Sequence, residues 1–212
     1  MTRPADARLA GEAGADVVGA ILVEGSRRFV STRTAREIGE AAEVPLALVV
    51  SDLPVDSMVH AAREAGAAVL QLHGSEQPPV VRELRARGNW ELWKAARVRT
   101  EQDILTAVDR YGSLVDLLLL DAWHPTLRGG TGTAFPWRAL ESVRNRLPPG
   151  SSLGVAGGLD PENVAEAVRR LRPGLVDVSS GVEVESQPGR KDPERMRAFV
   201  SAVRAAAGEA AE

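Results

Sequence analysis

The chain has 212 residues (22.5 kDa), of which 44% are hydrophobic and 26% charged, with a formal net charge of −3 and a pI near 5.7. No basic run collects polymer phosphates, and no apolar stretch approaches the roughly 20 residues that cross a bilayer, so neither a nucleic-acid nor a membrane partner is expected and the expected location is cytoplasmic. There is no Cys, which removes disulfides, thiolate metal ligands and a Cys nucleophile or base from these residues. His60, His73 and His124 are scattered without metal-ligand spacing, so no metal site is expected.

A first helix is predicted from Pro4 to Gly14, with Thr2 as its cap, Pro4 in its first turn and Gly14 as its stop. It leads into the apolar, β-branched run Asp16–Leu22, of the length of a strand buried on both faces. The pattern then repeats. Ser31 caps a helix reaching about Glu43 before the strand Leu46–Val50, and Pro54 opens a helix ending at Gly66 before the strand Val69–His73. Glu12-Ala-Gly-Ala-Asp-Val17 and Glu64-Ala-Gly-Ala-Ala-Val69 both read as a helix end, a Gly cap and the start of a strand. Further on come a helix Pro78–Arg87, a strand Glu91–Ala96, a helix Glu101–Arg110 and a strand Val115–Leu120. After a long loop follow a helix Trp137–Arg146, a strand Leu153–Ala156, a helix Pro161–Leu171, a strand Leu175–Val178 and a helix from Pro193 to about Ala206. No composition shift marks a linker, so residues 1–212 read as one domain.

Alternation of this kind implies a parallel sheet covered by helices, closed into a (β/α)8 barrel or left open. Polar and Gly residues follow nearly every strand: Glu24 and Arg28, Ser51 and Asp52, His73, Asp121, Gly157 and Gly158, Ser179 and Ser180. A barrel collects its site from many strand ends around one mouth, an open sheet from one switch point, and the Gly-x-Gly-x-x-Gly fingerprint is missing after the first strand. The expected fold class is therefore α/β, a TIM barrel. Because about seven strands are counted and the chain opens on a helix, the first strand of that barrel is expected to be lacking from the given residues. Its absence would leave two unpaired edges and expose core side chains worth roughly 1.5–3 kcal/mol each.

The segment Val155-Ala-Gly-Gly-Leu-Asp-Pro-Glu-Asn163 reads as a strand, a Gly pair and a helix capped by Asp160 with Pro161 at its first position. Gly157 and Gly158 let backbone N–H groups approach an anion, and Ser179 and Ser180 follow the next strand. These are the last two loops of the barrel, where phosphate sites recur, so the four are candidate phosphate ligands. Taken singly, the Gly pair can be only a turn and Ser-Ser-Gly only a strand exit. Asp121 ends the apolar run Leu117–Leu120 and puts a carboxyl group at a dry barrel mouth, where desolvation favours its protonated form and a general-acid role; an isolated Asp is also commonly a loop residue. The loop Ala122–Phe135, with Gly129-Gly-Thr-Gly132, can close over a ligand or simply be flexible. Arg28 can grip a carboxylate bidentately or lie solvated on the surface. His73 is a candidate site residue or a hydrogen-bonded structural one. The four Trp residues read as packing residues.

Together these phrases resemble phosphoribosylanthranilate isomerase over almost the whole chain. The matching residues are Thr2–Ala7, Glu12–Asp16, Ser26–Phe29, Gln71–Gly74, Leu119–Asp121, Gly129–Gly132 with Phe135 and Trp137, Ala156–Asn163, Asp177–Glu183 and Pro188–Asp192. The resemblance implies a (β/α)8 barrel performing a cofactor-free Amadori rearrangement of N-(5-phosphoribosyl)anthranilate in tryptophan biosynthesis. Opening the ring needs a proton on the furanose oxygen, and the Schiff base must then lose its C2 proton. By resemblance Asp121 is the acid, and Arg28 meets the anthranilate carboxylate. Gly157, Gly158, Ser179 and Ser180 meet the phosphate, while Asp177 and His73 meet the remaining polar edge of this phosphosugar substrate.

Family members open with a strand of the type Lys-Ile-Cys-Gly whose Cys is the general base; here Met1 stands directly before Thr2, so strand and Cys are absent from these residues. Loss of a general base costs about 10² to 10⁴ in rate. Two alternatives accompany this reading: a non-catalytic phosphosugar-binding relative, and a different phosphosugar isomerase or lyase using His73, Glu24 or Asp52 as base. Nothing in the sequence sets an oligomeric state.

Overall fold

The structure is a computed structural model that describes residues 1–122 and 146–209. Residues 123–145 lie outside these, and with them the helix expected from Trp137, the loop carrying Gly129–Gly132, and His124. In chain order the elements are α1 (Pro4–Glu12), β1 (Val18–Ile21), α2 (Thr32–Ala42), β2 (Leu46–Val50), α3 (Val55–Ala65), β3 (Val69–Leu72), α4 (Pro78–Arg87) and β4 (Glu91–Val98). Then come α5 (Glu101–Tyr111), β5 (Leu117–Ala122), β6 (Ser152–Ala156), α6 (Val164–Leu171), β7 (Leu175–Val176), a 3-10 turn (Ser180–Val182) and α7 (Pro193–Glu209). The seven strands form one sheet in the order β1 to β7, every neighbouring pair parallel.

Side-chain alternation divides the core in two. Ala47, Val69, Trp93, Ala95, Leu117, Leu119 and Ala156 form one apolar cluster, while the intervening residues of the same strands join the helices in a larger one. Val17, just before β1, and Leu175 on β7 both pack on the smaller cluster, so the two ends of the sheet come round a common centre. Both faces of β2 to β6 are thereby covered, which is why these strands read as continuous apolar runs.

Side chains join the first and last parts of the chain. Thr2 Oγ1 donates to the Gly189 carbonyl (2.7 Å), and the Lys191 N–H donates to Asp6 Oδ2 (3.0 Å). The Met1 nitrogen donates to the Gly19 carbonyl of β1. Among the described residues no strand ladder joins β7 to β1.

Several local expectations shift. Thr2 is not the cap of α1: the N-cap is Arg3, with no side-chain cap bond, because the Thr2 hydroxyl is committed to Gly189. Ser31 caps α2 as expected, accepting from the Thr34 N–H. α6 starts at Val164 rather than Pro161, since Asp160 Oδ1 accepts from the Glu162 and Asn163 N–H groups in a turn ahead of the helix. β5 runs to Ala122, so Asp121 belongs to the strand itself.

Candidate active site

His73, Asp121, the Gly157–Gly158 pair and Asp177 all stand at or just beyond the C-terminal ends of their strands, and the parallel ladder brings those ends to one rim. Asp121 lies in register with Arg97 on β4 and Ala156 on β6. Ala156 is followed at once by Gly157 and Gly158, whose φ values of 91° and 69° are left-handed, a conformation that Gly adopts without penalty. The 3-10 turn after β7 presses on this Gly loop: a Cβ built on Gly181 would stand 1.9 Å from the Leu159 carbonyl oxygen. The two loops are thus adjacent, with Gly158, Ser179 and Ser180 exposed.

Asp121 and His73 meet at this rim. His73 Nε2 lies 3.5 Å from Asp121 Oδ2, with the side chains 30% and 24% exposed, so the carboxyl group is not in the dry setting expected of it. Buried Gln71 places its Nε2 3.3 Å from His73 Nδ1. With Nδ1 turned to the Gln71 side chain, Nε2 is the ring nitrogen that faces Asp121. Asp177, immediately after β7, has its carboxyl pushed above the usual range chiefly by burial and further by Asp121, against the opposing pull of His73 and Lys191.

Arg28 is not a solvated surface residue. Its Nε and Nη2 donate to Glu183 Oε1 and Oε2 at 2.6 and 2.7 Å, a bidentate pair that spans 155 positions of chain. Glu183 also accepts from the Gly189 N–H (3.0 Å) and from Lys191 Nζ (3.2 Å). Burial alone would raise the Glu183 carboxyl, but these donors outweigh it and bring its pKa down to about 2. Lys191, itself buried, donates to the Ser179 carbonyl at 2.8 Å; burial lowers its pKa, and Glu183 opposes that.

Asp52 is committed to the β3–α4 loop, accepting from the Ser75 N–H (2.8 Å) and hydroxyl (2.9 Å), which hold its carboxyl below the usual range. Glu24 is exposed in the β1–α2 loop. Trp90 and Trp93 are packing residues, both buried. Sequence reasoning assigned no role to Glu183, Lys191, Arg97 or Gln71. Glu183 and Lys191 lie in the segments Asp177–Glu183 and Pro188–Asp192, but only the fold gives them partners. Among the described residues no group of three or more His, Asp or Glu side chains can hold a metal ion, and no helix is long and apolar enough to cross a membrane.

A parallel α/β sheet wound about an apolar centre, with titratable groups gathered where its strands end, is the framework of the barrel isomerases. The comparisons narrow that class. The profile of the family described as N-(5'phosphoribosyl)anthranilate (PRA) isomerase matches residues 1–202. The N-(5'-phosphoribosyl)anthranilate isomerase of Paracoccus denitrificans is 43% identical over 208 residues, covering 95% of this chain and 93% of the relative; that of Rubrobacter xylanophilus is 41% identical over 206, covering 96% of each. Among solved structures, the Thermotoga maritima phosphoribosyl anthranilate isomerase superposes with a TM-score of 0.84 at 32% identity, over 97% of this chain and 96% of that one. A phosphoribosyl anthranilate isomerase in complex with reduced 1-(o-carboxyphenylamino)-1-deoxyribulose 5-phosphate gives 0.82 at 30% identity, over 97% and 95%. The chain belongs to the N-(5'-phosphoribosyl)anthranilate isomerase family, and is an isomerase of tryptophan biosynthesis.

Proposed function

We propose that this chain rearranges N-(5-phosphoribosyl)anthranilate with Asp121 as the general acid. Asp121 gives its proton to the furanose oxygen as the C1–O bond breaks, and the anthranilate nitrogen supplies the electron pair that forms the C1=N bond. Removal of the C2 proton then gives the enol of the amino ketose, which becomes the ketone by proton transfer to C1. Gly157, Gly158, Ser179 and Ser180 hold the phosphate, Arg28 meets the anthranilate carboxylate, and His73 and Asp177 line the sugar's remaining polar edge. One observation carries this reading: Asp121 is in register with Ala156, the residue that leads into the Gly pair, so acid and phosphate cradle sit on neighbouring strands.

The proposal extends to the fold. Residues 1–212 act as one domain of a (β/α)8 barrel in the cytoplasm, and the β1 and β7 edges accept an eighth parallel strand between them. By resemblance that strand carries Lys-Ile-Cys-Gly, whose Cys removes the C2 proton. The test is turnover of the substrate, followed as loss of anthranilate fluorescence. The 212-residue chain gives little product, the form with Lys-Ile-Cys-Gly ahead of Met1 turns over at least about 10²-fold faster, and Asp121→Asn in that form loses about 10² to 10⁴. Full turnover by Asp121→Asn, or by the 212 residues alone, contradicts these roles.

A further inference from the structure

Lys94 is a cation on a strand whose two faces are both covered. It pairs in register with Leu72 on β3 and Leu118 on β5, and its side chain is 3% exposed. Its Nζ donates to the carbonyls of Gly74 (2.7 Å), Ala95 (2.9 Å) and Leu72 (3.2 Å), and to Glu76 Oε2 (3.0 Å). Glu76, with a side chain 2% exposed, accepts the Gly74 N–H at 3.1 Å and the Asp52 N–H at 3.0 Å. Tyr111 Oη donates to the Glu76 carbonyl at 2.9 Å. Both side chains are almost wholly enclosed.

Buried ion pairs contribute little net stability, because the cost of removing both charges from water consumes most of their attraction. What this pair does locally is specific. The Leu72 and Gly74 carbonyls lie on either side of His73, and the His73 N–H donates to the Val50 carbonyl at 2.8 Å. The peptide group before His73 is therefore held by the ammonium through the Leu72 carbonyl, and the one after it by the Glu76 carboxylate through the Gly74 N–H, the two charges being paired with each other. Gln71 then meets the ring at Nδ1, leaving Nε2 directed at Asp121.

We propose that Lys94 and Glu76 are positioning residues for the reaction, acting through His73 to set the imidazole against Asp121. This rests on the reading of Asp121 as the acid. A misplacement of about 1 Å at a reacting group costs on the order of 10² in rate, so removing the pair should lower kcat about 10- to 100-fold and change KM by less than about threefold.

The experiment uses Glu76→Met/Lys94→Met, which keeps side-chain volume, and Glu76→Gln, which keeps an acceptor for the Gly74 N–H should the double variant not fold. Circular dichroism verifies folding. On the 212-residue chain the ¹⁵N spectrum of His73, followed as pH is raised until it no longer changes, should show a single tautomer, and a mixture of tautomers in the variants. Turnover is followed in the form with Lys-Ile-Cys-Gly ahead of Met1, alone and combined with His73→Asn. Coupling through His73 requires that the substitutions lower kcat in the parent but alter it less than about twofold beside His73→Asn. A folded variant with the parental tautomer and kcat overturns the proposal, as does an equal loss in both backgrounds. Parental turnover by Asp121→Asn instead overturns the underlying assignment of the acid.

Discussion

Glu183→Gln removes one negative charge while keeping the shape of the side chain. Glu183 is 7% exposed and faces Arg28, Lys191 and the Gly189 N–H, so the loss is little screened by solvent. Its pKa falls from an ordinary 4.5 to about 2 in the folded chain, a difference that corresponds to about 3 kcal/mol. The sign follows from proton binding. Between pH 4.5 and about 2 the unfolded chain takes up a proton on this group that the folded chain does not, so stability is complete above this window and is lost as pH falls through it. In the Gln variant that decline disappears, and at pH 7 buried Lys191 and Arg28 lose their counter-charge, giving a total loss of about 3–5 kcal/mol. Urea unfolding from pH 2 to 7 measures both. A variant within about 0.5 kcal/mol of the parent at pH 7, with a parallel pH curve, would refute this reasoning.

Gly181→Ala places a methyl group 1.9 Å from the Leu159 carbonyl oxygen and must separate the Gly158 and Ser180 loops; binding of inorganic phosphate, measured by calorimetry, should weaken at least about tenfold, by roughly 1.4 kcal/mol or more, and unchanged binding would exclude this pair of loops as the cradle. Asp177 has a raised pKa, so its ionisation destabilises the folded chain as pH rises past the ordinary carboxylate value, near 3.9. Asp177→Asn should therefore flatten the decline in unfolding free energy above that pH, and a slope equal to the parent's would show that burial is not what raises the group.

The order of strands and helices was legible because buried parallel strands are apolar runs, and Pro, Ser and Gly mark the helix ends. Leu46–Val50 and Pro78–Arg87 have the expected bounds. Local signals failed where a side chain found a distant partner. Thr2 looks like a cap but bonds Gly189, 187 positions away, and Arg28, which the sequence leaves open between gripping a carboxylate and lying solvated, pairs with Glu183. Lys94 was visible as a charge inside the run Glu91–Ala96, a departure that itself points to a buried polar network. Its partner, Glu76, stands in a loop that sequence alone ties to no strand. Candidate site residues could be named because strand ends in a parallel sheet share one rim; their mutual orientation, such as Gln71 against His73, depends on strand phase and was not legible.

The seam between β7 and β1 bears on the eighth strand in a way that activity alone does not reveal. Its side-chain bonds, Arg28 to Glu183, Thr2 to Gly189 and Asp6 to the Lys191 N–H, run between loops and α1, outside the strands. An inserted strand therefore need not break them. On the outer edge of β1 the Gly19 carbonyl accepts from the Met1 nitrogen and the Ile21 carbonyl from the Val30 N–H, so such a strand pairs with the remaining backbone groups of the two edges. Each net ladder bond contributes roughly 0.5–1.5 kcal/mol, so Lys-Ile-Cys-Gly ahead of Met1 should raise the unfolding free energy by at least about 2 kcal/mol through bonds to both neighbours. The same rise is expected with Ser in place of that Cys, while turnover stays low. Equal midpoints with and without the added segment would mean that the seam does not receive a strand, whatever the effect on rate.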